Sequence, residues 1–212
     1  MLKYTMLVYS SLNYNQTERH GGEFSGIGTY HYNQHIALQG GYRFTTGLTH
    51  TLKAGTIIFF PIKKSHIFLE NQYLWEGWTK YNIQEFNALL MVGATCKERW
   101  SVKVGIFNKF FTTIHHVNHN PDWLFEPLNF AYSVEWWILK TTCRFNTGLQ
   151  LCNVEDFITE RPYSPSLLFN FRYRLNNRWT FYGNIRFHNT GVFDCTNNFY
   201  ENTFKLGAKV SW

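Results

Sequence analysis

The sequence predicts an all-β protein: an antiparallel up-and-down transmembrane β-barrel of about twelve strands, with ten strands as the alternative count. Three observations predict it. Apolar and polar residues alternate with period two along most of the chain, the connections between the predicted strands differ systematically in length, and the apolar faces end in aromatic residues. The 212 residues are expected to form one domain, 1–212.

The composition excludes several other classes of protein. Charged residues make up 16% of the chain, against about 25% in an ordinary soluble domain. No apolar stretch approaches the ~18 residues that a transmembrane helix needs, so a helical membrane protein is excluded. Aromatic residues make up 19% of the chain, and a chain this rich in aromatic residues can bury a core, which argues against disorder.

The clearest alternation predicts a β-hairpin over residues 166–188. Leu167, Phe169 and Phe171 share one face of its first strand, whereas Arg172 lies on the opposite face. A helix of these residues would place arginine on every side. The same pattern along the chain predicts strands at 2–13, 24–32, 35–45, 51–60, 66–76, 83–95, 100–112, 130–139, 144–154, 166–175, 179–188 and 202–212. The second of these is the weakest, because FSGIGTYHY is rich in glycine and its phase is unclear.

The connections between these strands sort by length. Short connections follow the even-numbered strands, at 33–34, 61–65, 96–99, 140–143 and 176–178. Those after the odd-numbered strands are longer at 14–23, 113–129, 155–165 and 189–201, and modestly longer at 46–50 and 77–82. Outer-membrane barrels have short periplasmic turns and longer external loops, whereas a soluble sandwich has no reason to sort its loops in this way. The pattern therefore predicts the bacterial outer membrane as the location.

The ends of the strands carry aromatic residues on the apolar face. With the predicted topology, the periplasmic ends have Phe60, Trp100, Trp179 and Trp212, and the external ends have Phe44, Trp75, Phe130 and Phe187. The positions between them are aliphatic or phenylalanine, for example Val102, Val104 and Ile106. Two aromatic girdles around an apolar band are expected of a barrel in a lipid bilayer.

The C-terminal segment FKLGAKVSW alternates in polarity and ends on Trp212. It resembles the terminal strand by which bacterial outer-membrane barrels are recognised for assembly, and the segment YRLNNRWTFYGNIRF looks like outer-membrane proteins of the Bacteroidota. No closer family is indicated. The resemblance implies dependence on the barrel assembly machinery. The other expected partners are the lipid bilayer and lipopolysaccharide and, for a structural barrel, envelope-complex subunits. The chain shows no signal peptide, so an exported form is expected to be a mature chain with an added Met or a piece of a longer one.

The inward faces carry more basic than acidic residues. Acidic positions are Glu70, Glu76, Glu85 and Glu135, and none falls on the last four strands. An arginine-rich wall favours anions, because the guanidinium fork matches carboxylate and phosphate oxygens. The expected function is a narrow anion-preferring channel for small acidic solutes or oligosaccharides, and it is similar in size to known twelve-stranded channels of that kind. The candidate lumen and anion-binding residues are Arg43, Lys103, Arg144, Arg172, Arg174, Arg186, Lys205 and Lys209.

A second hypothesis is a non-conducting structural or assembly barrel, either a subunit of an envelope complex or the membrane domain of a larger protein. A twelve-stranded lumen is intermediate between the filled eight-stranded barrel and the open sixteen-stranded porin. Bulky inward side chains would fill much of it: Phe68, Leu89, Phe107, Phe111 and Trp137.

The sequence gives little support for other chemistry. The segment HHVNHNPDWLFEP offers only weak metal ligands, His115, His116, His119 and Asp122, with nothing to fix their geometry, so no metal or cofactor is predicted. Ser133 lies outside any catalytic motif and is expected to line the barrel, so no catalytic residue is predicted and an enzyme is disfavoured.

Nucleic acid is not an expected partner. The net charge of +6 comes from basic residues spread over alternating strand positions rather than clustered on one surface. Cys152 and Cys195 fall towards the external end, where a disulfide between them is open; Cys96 and Cys143 occupy different turns.

Overall fold

The computed structural model describes residues 4–15, 20–46, 49–62, 65–78, 83–96, 99–114, 121–139, 144–160, 162–189 and 199–212. Across these ranges twelve antiparallel strands form one closed sheet, in which chain neighbours pair and β1 pairs with β12. This confirms the predicted up-and-down barrel. The strands are β1 Tyr4–Asn15, β2 His20–His31, β3 Ile36–Thr45, β4 Thr49–Ile62, β5 Ser65–Trp78, β6 Ile83–Cys96, β7 Trp100–Ile114, β8 Pro121–Trp137, β9 Phe145–Cys152, β10 Ser166–Arg174, β11 Trp179–Asn189 and β12 Phe199–Ser211.

Asparagine side chains close two of the short turns. In the predicted hairpin, now β10 and β11, the Oδ1 atom of Asn176 accepts hydrogen bonds from the backbone N–H groups of Arg178 and Trp179, both at 2.8 Å. Asn33 does the same for His35 and Ile36, again at 2.8 Å. An asparagine that bonds to backbone two or three residues ahead fixes a tight turn, and so sets the register of the strands on either side. We call this end of the barrel the short-turn end.

The eighth strand is longer than predicted, and the prediction of a loop over 113–129 was wrong for residues 121–129. The register between β7 and β8 passes from Phe107 opposite Asn129 to Lys109 opposite Glu126, so β8 holds one extra residue there. Leu128 adopts a left-handed backbone conformation in this bulge, with φ of 54°. An extra residue reverses which side chains face inward. The alternation therefore changes phase at the bulge. Because the residues before and after it follow different phases, a search for period-two alternation does not recognise them as one strand.

The outward face is apolar, as expected of a barrel in lipid. Val102, Val104 and Ile106 are each about two-fifths exposed on β7. All four aromatic residues predicted at the short-turn end are exposed: Phe60, Trp100, Trp179 and Trp212. At the other end Trp75 and Phe130 are exposed, whereas Phe44 and Phe187 are half-buried. No helix in the described ranges is long and apolar enough to cross a membrane.

Gly105 on β7 lies where the sheet leaves no room for a side chain. A Cβ atom there would collide with the carbonyl oxygen of Leu90 and lie 2.7 Å from the Cα of Met91. Both are backbone atoms, which cannot move aside as a flexible side chain can. We expect Gly105→Ala to destabilise the folded barrel by about 1–3 kcal/mol, measured by urea titration of the heat-modifiable band on a gel.

Gly40→Ala is the matched control for that substitution. A Cβ atom at Gly40 would meet nothing nearer than 3.9 Å. Its unfolding midpoint should stay within error of the unsubstituted protein, and equal midpoints for the Gly105 and Gly40 variants would contradict the importance of this close packing.

Candidate functional site in the barrel lumen

The middle of the lumen holds an apolar cluster. Six of its buried members come from wall strands and two come from the connection between β9 and β10; they are Ile27, Leu74, Leu89, Met91, Phe107, Ala131, Val154 and Phe157. Phe68 and Trp137 are also buried against the inside of the wall, as predicted, whereas Phe111 is half-buried. The lumen is therefore partly filled at mid-height.

The β9–β10 connection folds into the barrel. We call its residues 153–160 the inward segment. Val154 and Thr159 form an isolated antiparallel bridge, and the N–H of Glu160 donates to the carbonyl oxygen of Asn153 at 2.7 Å. Asn153 fixes the base: its Oδ1 accepts from the backbone N–H of Tyr132 at 2.7 Å, and its Nδ2 donates to the carbonyl oxygen of Phe130 at 2.8 Å. The prediction that most of this stretch forms an external loop was wrong.

The inward segment brings acidic side chains to the basic wall. Arg186 on β11 lies 2.9 Å from Glu155 and 3.8 Å from Glu160. Lys205 on β12 lies 3.6 Å from Glu155 and 3.8 Å from Glu23 of β2. The expectation of a basic wall unopposed by acids is therefore wrong for Arg186 and Lys205. Sequence reasoning missed their partners because the alternation of inward and outward side chains along a strand does not predict where the connection between two strands folds.

The basic residues of the earlier strands also have acidic neighbours. Arg43 on β3 lies 2.7 Å from Glu76, and its Nε donates to Thr51 at 3.1 Å. Lys103 on β7 lies 2.9 Å from Glu70. Two further ion pairs involve lysines that the sequence places on the inward face but outside the candidate anion-binding set: Lys109 with Glu85 at 3.0 Å, and Lys53 with Asp156 of the inward segment at 3.9 Å.

Arg172 on β10 has a different environment. Its guanidinium group stacks on the indole ring of Trp137, with 4.7 Å between the guanidinium carbon and the ring centroid. Its Nε and Nη2 atoms are buried and have no hydrogen-bond partner among the described residues. A cation over an indole ring is stabilised by the ring quadrupole. This contact does not use the N–H donors of Nε and Nη2, so both can still donate hydrogen bonds to a ligand.

Three more candidates lie beside Arg172 at the short-turn end. They are Arg144, Arg174 and Lys209. Arg174 and Lys209 share one row across β10, β11 and β12, with Thr180 between them. The N–H of Arg174 donates to the carbonyl oxygen of Arg144 at 2.6 Å. Arg172 lies one inward position above this row. Across β9 to β12, neither row carries an acidic residue. We call Arg144, Arg172, Arg174 and Lys209 the short-turn cationic group.

The inward segment separates two cavities. One, of about 230 Å³, is lined by polar side chains that include Gln150, Asn170 and Tyr182 and also by Trp137, the ring beneath Arg172. The other, of about 290 Å³, is lined by Arg43, Glu76, Lys109, Glu160 and Arg186, among others. Lys205 lines both cavities.

The remaining sequence candidates do not form a site in the described structure. His115, His116 and His119 lie outside the described residues, and of Asp122 only the backbone pairing with Thr113 is described. Within the described ranges no group of three metal-ligating side chains occurs. Ser133 lines the barrel, as expected, and accepts a hydrogen bond from Gln150 at 3.0 Å.

Cys152 is buried and Cys96 is exposed, and no disulfide joins these two cysteines of the described residues. Cys143 and Cys195 lie outside the described residues. A disulfide between Cys152 and Cys195 is therefore a sequence hypothesis that the described structure does not address.

Comparison with known proteins places the fold among porins. No family model matches the sequence, and no curated protein matches it either. The structure is similar to the outer membrane protein Omp33 of Acinetobacter baumannii, with a TM-score of 0.58, 15% identity and coverage of 100% of this chain and 99% of that one. It is similar to the NanC porin, with a TM-score of 0.62, 7% identity and coverage of 98% and 100%.

A third similar structure is the KdgM porin in complex with disordered oligogalacturonate, with a TM-score of 0.59, 9% identity and coverage of 97% of this chain and 99% of that one. At such low identities the likeness establishes fold and not activity. It agrees with the apolar outer face and supports the bacterial outer membrane as the location. The chain has the fold of a bacterial outer-membrane β-barrel porin.

Proposed function

We propose that the protein is an outer-membrane channel for small acidic solutes or oligosaccharides, and that the short-turn cationic group makes it prefer anions. The observation that carries the proposal is the environment of this group. Arg172, Arg174 and Lys209 lie on two adjoining rows that carry no acidic residue across β9 to β12, and Arg144 is joined to Arg174 by a backbone hydrogen bond.

The selectivity would come from electrostatics without any covalent step. A passage with low-dielectric walls that is lined by positive charges raises the local concentration of anions. Arg172 is held over the ring of Trp137, so less side-chain entropy is lost when its N–H groups bind an oxygen anion. An anion would pass from Arg186 and Lys205 to Arg172 and then to Lys209. The likeness to a porin crystallised with oligogalacturonate, a polyanion, supports this class of solute.

A closed barrel is the second candidate function. The inward segment and the apolar cluster fill mid-lumen, an arrangement that suits a structural barrel or an envelope-complex subunit. In either case we propose that the C-terminal strand β12 directs insertion by the barrel assembly machinery, in contact with the bilayer and lipopolysaccharide.

Swelling of proteoliposomes distinguishes a selective channel from a closed barrel. We expect liposomes containing the protein to swell faster in sodium trigalacturonate than in maltotriose, because the two trisaccharides are alike in size and differ in charge. High salt should reduce the difference, since the Debye length falls from about 10 Å at 0.1 M to about 3 Å at 1 M. Equal swelling in both solutes would contradict the anion preference, and no swelling in either would favour the closed barrel.

A further inference from the structure

We propose that the inward segment is a gate. Arg186 and Lys205 form a binding site for acidic solutes, and the carboxylates of Glu155 and Glu160 occupy that site until a solute with two or more carboxylates displaces them. This inference rests on the proposed channel function. In this part of the lumen the cations pair with the carboxylates of Glu155 and Glu160, and the proposal assigns a function to these two carboxylates.

The cation pair is built as a binding site. Arg186 is only 3% exposed, and its Nε donates a hydrogen bond to the Oγ of Ser166 at 2.9 Å. Arg186 and Lys205 approach different oxygens of one carboxylate: Oε1 of Glu155 lies 2.9 Å from Arg186, and Oε2 lies 3.6 Å from Lys205. A carboxylate held between an arginine and a lysine is the arrangement that binds an acidic ligand.

The resident carboxylate is poorly satisfied in this site. Oε1 of Glu155 is buried and accepts no aligned hydrogen bond from the described residues, although Arg186 is close. The N–H of Arg186 Nε is directed at Ser166 instead. A buried acceptor without a hydrogen bond loses most of the benefit of an ion pair. A solute carboxylate that is free to align would therefore compete well with Glu155.

The tip of the inward segment reaches the wall through Asp156 and Phe157. Asp156 lies 3.9 Å from Lys53, and about half of the Asp156 side chain is exposed. The ring of Phe157 is close enough to Gly41 that a Cβ atom at this glycine would lie 2.8 Å from the Phe157 Cζ atom. The base, in contrast, is fixed by the hydrogen bonds of Asn153. Displacement of the segment would take the buried Phe157 ring out of the apolar cluster, while Asn153 keeps the base on the wall.

The number of carboxylates at the site indicates the class of ligand. Glu155 and Glu160 both approach Arg186, at 2.9 Å and 3.8 Å. Displacing both needs a chain with at least two anionic groups, such as an oligomer of acidic sugars. A single monovalent anion can replace only one of them. Displacement would join the two cavities that Lys205 lines from both sides.

The test is conductance across a planar bilayer with the full-length chain, and the probe is trigalacturonate. The variant is Glu155→Gln with Glu160→Gln, and the matched control is Glu76→Gln with Glu85→Gln. Each pair removes two carboxylates from cavity linings: Glu155 lines the first cavity and Glu160 the second, whereas Glu76 and Glu85 both line the second. Glu76 and Glu85 belong to the wall strands β5 and β6 and not to the inward segment. Heat-modifiability on gels verifies that each variant folds, and Glu155→Gln alone serves if the double variant does not.

We expect the Glu155 and Glu160 variant to conduct severalfold more than the unsubstituted protein without any probe. Trigalacturonate should raise the conductance of the unsubstituted protein and of the wall control, and galacturonate should not. Equal conductance of the two double variants would overturn the gate while leaving the channel intact. Absence of conductance from every folded variant would overturn the channel itself, and the gate with it.

Discussion

Replacing Arg172 and Lys209 together by glutamate is expected to reverse the selectivity of the barrel from anions to cations. Both side chains belong to the short-turn cationic group, where no acidic residue shares their rows across β9 to β12. Two unit charges about 4 Å apart interact by about 4 kcal/mol at an effective dielectric constant of 20. Even after screening, the anion-to-cation permeability ratio should fall by more than about tenfold, which corresponds to about 1.4 kcal/mol. The reversal potential in a salt gradient measures it.

The conservative exchange Arg172→Lys with Lys209→Arg is the control for that substitution. It keeps both charges and changes only the shape of the donors, so the sign of the reversal potential should stay the same. A reversal potential that is identical in the glutamate variant and the unsubstituted protein would show that this group lies off the conduction path.

Substitution of Gly41 by alanine is expected to open the lumen. A Cβ atom at Gly41 would lie 2.8 Å from the Cζ atom of Phe157 and 3.0 Å from the carbonyl oxygen of Gly26. The Gly26 oxygen is part of the wall, so the phenylalanine ring is the group that must move. Its departure removes the tip of the inward segment from the apolar cluster, at a cost of about 1.5–3 kcal/mol for the exposed ring. We expect a severalfold larger single-channel conductance.

The neighbouring glycine provides a close control for this experiment. Gly40 precedes Gly41 in β3 and faces the opposite side of the sheet, and a Cβ atom there would meet nothing nearer than 3.9 Å. Gly40→Ala should conduct like the unsubstituted protein, and Phe157→Ala should reproduce the effect of Gly41→Ala. If Gly41→Ala and Phe157→Ala both leave the conductance unchanged, the ring does not limit the passage.

Sequence alone predicted most of the barrel because lipid and lumen impose opposite polarity on alternate residues of a strand. That rule gave β10 and β11 to within a residue or two, and the turn at Asn176 with them. It failed at β8, where one extra residue between Glu126 and Asn129 reverses the phase. Nothing local marks a bulge of this kind, because the missing information is the register with β7.

The site was harder to predict than the fold. Alternation placed Arg172 and Arg186 on one face of their strands, but it could not distinguish the arginine stacked on Trp137 from the one beside Glu155. That distinction depends on the inward segment, whose contacts with Gly41 and Lys53 join parts of the chain that are far apart in sequence. The only local signal was the apolar Phe157 near the start of the predicted external loop 155–165, three residues after Val154 at the end of the predicted strand.

Conduction of anions through the lumen, past the short-turn cationic group, is the property on which the proposed function depends. Single-channel recording of the refolded, unsubstituted protein in a planar bilayer tests it most directly, with a roughly tenfold KCl gradient to give the reversal potential. We expect discrete openings whose reversal potential has the sign set by chloride. Stable insertion without openings, even with trigalacturonate present, or openings that select potassium, would contradict it.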